Sequence, residues 1–201
     1  MSVKNNLKSI LILLSVVCSQ SNIFAQNPFA GLEPLFTEPK SYTLFRTPDP
    51  LIMDGELSEK SWQDTPWTEY FIDIEGNLKP APAYKTRVKM LWDANYLYVA
   101  AELEEPHLWA NKQPEKDIIF RDNVFKIFVD PDNNVNDDFE IQINPQNKML
   151  FLIMNKPYRD AGTPVTGWNP IGYKSGVKLL GTINNSGDTD KGWIAEIAIP
   201  L

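Results

Sequence analysis

Three observations predict an all-β fold, a β-sandwich or jelly roll. Several short runs alternate apolar and polar residues at period two, the signature of a strand with one buried face. Short polar links rich in Asp, Asn, Gly and Pro separate these runs, and the runs recur at regular spacing. The clearest example is residues 87–102, RVKMLWDANYLYVAAE. Val88, Met90 and Trp92 share one face, Leu97, Val99 and Ala101 share another, and Asp93-Ala94-Asn95 supplies the turn between them. An antiparallel hairpin over 86–102 follows, with Val88, Met90, Leu97 and Val99 buried together.

In chain order, Pro28, Gly31, Pro34 and Pro39 break any regular element, so 26–40 reads as a leader ahead of one domain over 41–201. A first strand is expected within 42–46. Asp54-Gly55 marks a turn, after which Ser58 is placed to cap a short helical turn carrying Trp62 inward. Residues 67–74 read as a strand, and Gly76, Pro80 and Pro82 as a loop. After the hairpin, 104–121 is an irregular connection. Strands follow at 124–129, at 139–143 with Glu140 and Gln142 on a half-exposed face, and at 149–154. A Pro/Gly-rich loop at 156–173 is long for a sandwich, and such loops are usually functional. Val177, Leu179 and Ile183 mark another strand and Trp193, Ala195, Ile197 and Ile199 the last. Trp62, Trp92 and Trp193 fall in strand or turn patterns and are expected in the core.

Residues 1–25 read as an export signal, with Lys4 and Lys8 ahead of an apolar run and Ile23-Phe24-Ala25 as the cleavage site. The run is far shorter than the roughly 20 residues a membrane-spanning helix needs. A secreted, periplasmic or cell-surface protein is expected. Lipid anchoring at Cys18 is the weaker alternative, because Val17 is bulkier than the residue such signals carry. Cys18 is the one cysteine, so a chain cleaved after residue 25 has no disulfide and no cysteine-based zinc site. The net charge of −7 makes nucleic acid an unsuitable partner and favours neutral ligands or cations.

The chain has one histidine, His107, and no phosphate-cradling Gly-rich loop or Gly-x-Ser-x-Gly elbow. No acid stands in a context that singles it out for paired-carboxylate hydrolysis. Two other stretches carry chemistry. Asp130, Asp132, Asn134, Asn136 and Asp138 set hard oxygen ligands at alternate positions, as Ca²⁺ requires, although no EF-hand glycine or closing glutamate is present. A solvated turn has the same composition, so both readings stay open. The loop NKPYRDAGTPVTGWNP offers Trp168 and Tyr158 as stacking surfaces for a sugar ring, with Arg159 and Asp160 to bond its hydroxyls. Trp168 could equally cap an open end of the core. Phe120 and Trp109 are candidates for a second aromatic.

The stretches DGELSEKSW, VKMLWDANYLYVAAEL, DNVFKIFVDPD and GWIAEIAIP occur in this order. Together they resemble the family 9 carbohydrate-binding modules and the wider DOMON-like sandwiches. FEIQIN, KPYRDAG and GTINNSGDTDKGW are similar to secreted bacterial family 9-like proteins. Across residues 41–201 the resemblance implies a jelly-roll-like sandwich, non-catalytic sugar binding in glycan degradation, and structural calcium. It also implies two clamping tryptophans. The nearest aromatic to the first is Phe120, and the second falls in a segment that would follow Leu201, so a chain truncated at its C-terminal end is expected. Lys126 stands where the family has a strand acid. Some DOMON-like sandwiches instead hold haem through Met and His, for which His107 with Met53 or Met90 is the available pairing. A structural or adhesion domain of a larger surface enzyme is the third reading.

Overall fold

The computed structural model describes Ala30 and residues 40–110, 119–134 and 136–201. The export signal and most of the leader lie outside the described residues. The chain divides into two compact units, Met1–Ser41 and Tyr42–Leu201, and every strand among the described residues belongs to the second. Among the described residues no helix is long and apolar enough to cross a membrane.

Among the described residues nine strands form two sheets. The first contains β1 (Phe45–Arg46), β2 (Thr86–Trp92), β3 (Tyr96–Glu104), β8 (Lys174–Leu179) and β9 (Gly192–Pro200), in the order β1-β2-β3-β9-β8. The second contains β4 (Phe125–Val129), β5 (Asp138–Ile143), β6 (Met149–Met154) and β7 (Pro164–Val165), in that order. All pairings are antiparallel except β1 with β2. Among the described residues one helical turn, α1 (Lys60–Asp64), completes the regular structure apart from short 3₁₀ turns.

The hairpin forms as the alternation requires. Val88 pairs with Ala101 and Met90 with Val99. Asp93 holds the turn, its Oδ1 accepting from the backbone N–H groups of Asn95 (2.7 Å) and Tyr96 (2.8 Å). Its Oδ2 accepts the Tyr98 hydroxyl at 2.7 Å. Inward side chains of both sheets meet in one core of Val88, Val99, Ala101, Trp193, Ala195 and Ile197 against Phe125 and Ile143, with Met90 and Leu97 packed on it. Burial of this kind is what holds two sheets face to face.

A second apolar cluster lies on the opposite face of the first sheet, where Leu51 and Trp62 cover Leu91, Tyr98, Ala100 and Ala198. At its centre is Glu196, fully buried on β9. Its carboxylate accepts from Trp62 Nε1 (2.7 Å), Gly55 N (2.6 Å) and Asp54 N (3.2 Å). Gly55 adopts φ +84°, and a Cβ there would meet Lys178 N at 2.4 Å, so only glycine permits so close an approach to β8. Lys89, also buried, donates to the Trp62 carbonyl.

Four expectations need correction. Residues 67–74 form no strand, because Trp67 and Tyr70 are three residues apart and both sit on cations of β2 and the residue just before it. Arg87 lies 4.5 Å from the Trp67 ring and 5.6 Å from Tyr70, with Lys85 over Tyr70 and Lys89 over Trp67. The N-cap of α1 is Glu59 rather than Ser58, with no side-chain capping bond. Trp92 is 39% exposed, with Arg46 over its ring. Ile183 lies beyond β8, which ends at Leu179.

Trp62 is 0% exposed, and Trp62→Ala should lower unfolding stability by about 3–5 kcal/mol in urea titration. A wild-type midpoint would show that the ring does not hold the 50–65 segment down. Burial pushes the Glu196 carboxyl up to about 7, against the lowering effect of its three donors. A raised carboxyl favours the folded state while protonated. Its contribution is complete below the ordinary value of 4.5 and is lost as pH rises to about 7. Stability should therefore fall by about 2–3 kcal/mol between mildly acidic and neutral pH. Glu196→Gln should flatten that slope. Asp190, held low by backbone N–H groups of Leu108 and Thr182, works oppositely in more acidic solution.

Candidate functional site

β5 places Ile141 and Ile143 in the core, so Glu140 and Gln142 project from the other face of the second sheet. Register sets Lys126 of β4 opposite Gln142, and Leu150 and Leu152 of β6 opposite Gln142 and Glu140. The sequence alternation predicts a half-exposed face here. Instead Glu140 is 0% and Gln142 1% exposed. Neighbouring side chains cover them.

Glu140 is a buried carboxylate with three donors. Its Oε1 accepts Lys126 Nζ at 3.0 Å and Gln142 Nε2 at 2.7 Å, and its Oε2 accepts the Tyr158 hydroxyl at 2.8 Å. A charge at this depth persists only when so compensated. Burial first, and then the bond and charge of Glu140, push the Tyr158 hydroxyl up to about 12, so it remains a donor at neutral pH. Because a carboxylate only accepts, the Gln142 amide nitrogen must face it. Gln142 Oε1 is left buried without a partner.

The KPYRDAG stretch holds Tyr158 in place. Pro157 leads into a 3₁₀ turn at Tyr158–Asp160, and Ala161 closes it in the left-handed region at φ 59°. Gly162 N donates back to the Pro157 carbonyl at 3.1 Å, and any Cβ at Gly162 would collide with the Lys156 carbonyl. Asn155 Oδ1 then accepts from Thr163 N at 2.9 Å.

These groups border a cleft of about 840 Å³, within the roughly 300–1,000 Å³ usual for small-ligand sites. Met149, Leu150, Phe151 and Leu152 all line it although their side chains alternate in direction. The cleft therefore follows the edge of β6, which β7 covers only at Ile153 and Met154. Phe120 and Tyr158, 52% and 55% exposed, flank it. Trp168 lines it too, while stacking on Phe139 at 5.0 Å and meeting Phe151 edge-on at 6.1 Å. The indole thus contacts core aromatics and the cleft at once.

Of the sequence candidates, the structure brings Trp168, Tyr158 and Phe120 to one cleft. Arg159 and Asp160 pair with each other at 3.6 Å on the exposed side of the turn, outside the lining. Trp109 is exposed elsewhere, its N–H on Asn123 Oδ1. Sequence reading passed over Lys126, Glu140 and Gln142 as site residues. The polar face of FEIQIN was the available signal.

The 130–138 turn uses its oxygens locally. Asp130 Oδ1 accepts from the Asp132 and Asn133 N–H groups, Asp132 Oδ2 from Asn134 Nδ2, and Asn134 Oδ1 from Asn136 N. Asp138 Oδ1 is buried without a partner. Burial, and then Asp130, Asp132 and Asp137, raise the Asp138 carboxyl. Among the described residues no group of three or more His, Cys, Asp or Glu is placed to hold a metal. Met53 and Met90 pack into different apolar clusters and His107 is exposed.

The Carbohydrate family 9 binding domain-like family matches residues 52–201, and the chain belongs to it. It is 31% identical over 155 residues to endo-1,4-beta-xylanase A of Thermotoga maritima, covering 74% of this chain and 12% of that protein. Two solved structures of a family 9 carbohydrate-binding module from Caldicellulosiruptor kristjanssonii share the fold at 20% identity. The cellotriose complex has a TM-score of 0.50 and covers 79% of this chain and 67% of that one. For the glucose complex the values are 0.51, 79% and 68%.

Tyr158→Phe should cost about 1.5–3 kcal/mol of unfolding stability, because it leaves Glu140 Oε2 buried without its donor. Loss of less than about 0.5 kcal/mol by urea titration would show that water replaces the hydroxyl.

Proposed function

We propose that this chain is a secreted or periplasmic, non-catalytic module that takes a poly- or oligosaccharide into the β6-edge cleft during glycan degradation. One observation carries the reading: three aromatic side chains, Phe120, Tyr158 and Trp168, border one cleft. A sugar offers C–H faces to stack on such rings. Thr166 and Asn169 on the loop add further polar groups. Family membership supports the reading, as do the xylanase relative and the cellotriose and glucose bound to structures of the same fold. Among the described residues no pair of carboxylates faces the cleft, since Glu140 is buried and its oxygens are engaged, so these residues offer no acid–nucleophile pair for glycoside hydrolysis.

Calorimetry with cellotriose and xylotriose tests this. Wild-type binding is expected at micromolar to millimolar dissociation constants, about −8 to −4 kcal/mol. Trp168→Ala should weaken it roughly tenfold, about 1.4 kcal/mol. Phe120→Ala, at an exposed position, should weaken binding without disturbing the fold. Equal binding by both variants would remove the aromatic assignment.

We propose that Ca²⁺ would reorganise the 130–138 turn, drawing Asp130, Asp132, Asn134 and Asn136 out of the local hydrogen bonds they make here to supply oxygens together with Asp138. The unpartnered Asp138 Oδ1 and the mutual repulsion of the acids favour it. Chelator should lower the melting temperature, and Asp130→Asn or Asp132→Asn should abolish that response. An unchanged melting curve would leave a plain turn.

A further inference from the structure

The cleft presents charge unequally. Among the described residues that line it the ionisable side chains are Lys126 and Tyr158, and no carboxylate is among them. Glu140 lies beneath, fully buried, with both oxygens occupied by protein donors. Lys126 is different. Its side chain is 36% exposed and its ammonium carries three N–H groups, of which one is placed on Glu140. A ligand arriving from solvent therefore meets the positive end of the Lys126–Glu140 pair. This happens in a chain whose net charge is −7. Two ammonium donors of Lys126 are thus open to a ligand, beside the Thr166 and Asn169 side chains of the lining. A neutral hydroxyl can accept from that ammonium. A carboxylate uses it better, because ion-pair attraction adds to the charge-assisted bond.

We propose that the preferred ligand of this cleft is a carboxylate-bearing glycan, a uronic-acid-containing oligosaccharide whose carboxylate accepts from Lys126 Nζ while its ring stacks on the flanking aromatics. The inference rests on the carbohydrate-binding reading and assigns its substrate class. Arg159, turned away and paired with Asp160, takes no part.

The test compares the same rings with and without charge. Trigalacturonate and glucuronic-acid-substituted xylotriose are titrated calorimetrically into the full chain, each as free acid and as methyl ester, beside neutral cellotriose and xylotriose. At least one free acid should bind roughly tenfold more tightly than its ester at low salt, and the gap should narrow several-fold at about 0.3 M salt. Lys126→Gln, which can still bond Glu140, should bind acid and ester equally. Lys126→Arg keeps the charge and should keep the preference. If Lys126→Gln does not fold by circular dichroism, the wild-type acid–ester comparison and Lys126→Arg still decide. Acids and esters binding wild type equally would overturn the inference, as would neutral trisaccharides binding as well as the acids. In either case the carbohydrate reading stands. Absence of binding by every probe overturns both.

Discussion

The sandwich depends on one buried carboxylate. Glu196 points away from the inter-sheet core because its neighbours Ala195 and Ile197 point into it. An ionisable group so placed on a nearly apolar strand must be exposed to water or covered by donors. Here the 50–65 segment covers it, through the Trp62 indole and two backbone N–H groups. That contact fixes Trp62, which shields the buried end of Lys89. From Lys89 the interleaved cations and rings run along β2 through Trp67, Arg87 and Tyr70. Burial lowers the Lys89 ammonium, and repulsion from Arg87 adds to this. The outer layer of the first sheet is thus assembled around charge rather than around apolar area alone.

The second sheet repeats the device for another purpose. Glu140, like Glu196, is buried on the face opposite the core and satisfied by three donors. Its donors are side chains that border a cleft, so satisfying the charge also sets the floor of a binding site. A buried charge network of this kind costs stability unless complete, and in return it fixes side-chain positions that an apolar floor would leave free.

How much of this could be read from the sequence varies by element. The hairpin was legible because period-two alternation and an Asp-Ala-Asn link specify register and turn together. Trp62 was legible because Asp54-Gly55 turns the chain back just before it. Residues 67–74 were not, because aromatic and β-branched residues fit a strand and a cation-stacked ribbon equally well. Trp92 sits on the alternation, yet at a strand end it finds Arg46 rather than the core. Glu140 and Gln142 were misread for a related reason. Alternation tells which face a side chain takes and says nothing of what a distant loop lays over that face. Of the cleft, the aromatic members stood out by residue type. The polar members did not, since Lys126 and Gln142 become neighbours only once β4 and β5 pair.

The position of Trp168 has an optical consequence. Among the six tryptophans, Trp62 and Trp193 are sealed from solvent and should emit at short wavelength whatever the cleft contains. Trp92 and Trp109 stand at the surface and Trp67 lies against Arg87 and Lys89, all three outside the lining. Trp168 alone borders the cleft, with ring contacts to Phe139 and Phe151 behind it. Any molecule that enters changes the solvent shell of that one indole. The protein therefore carries an intrinsic fluorescent reporter of occupancy against a steady background, and ligands can be followed without a label.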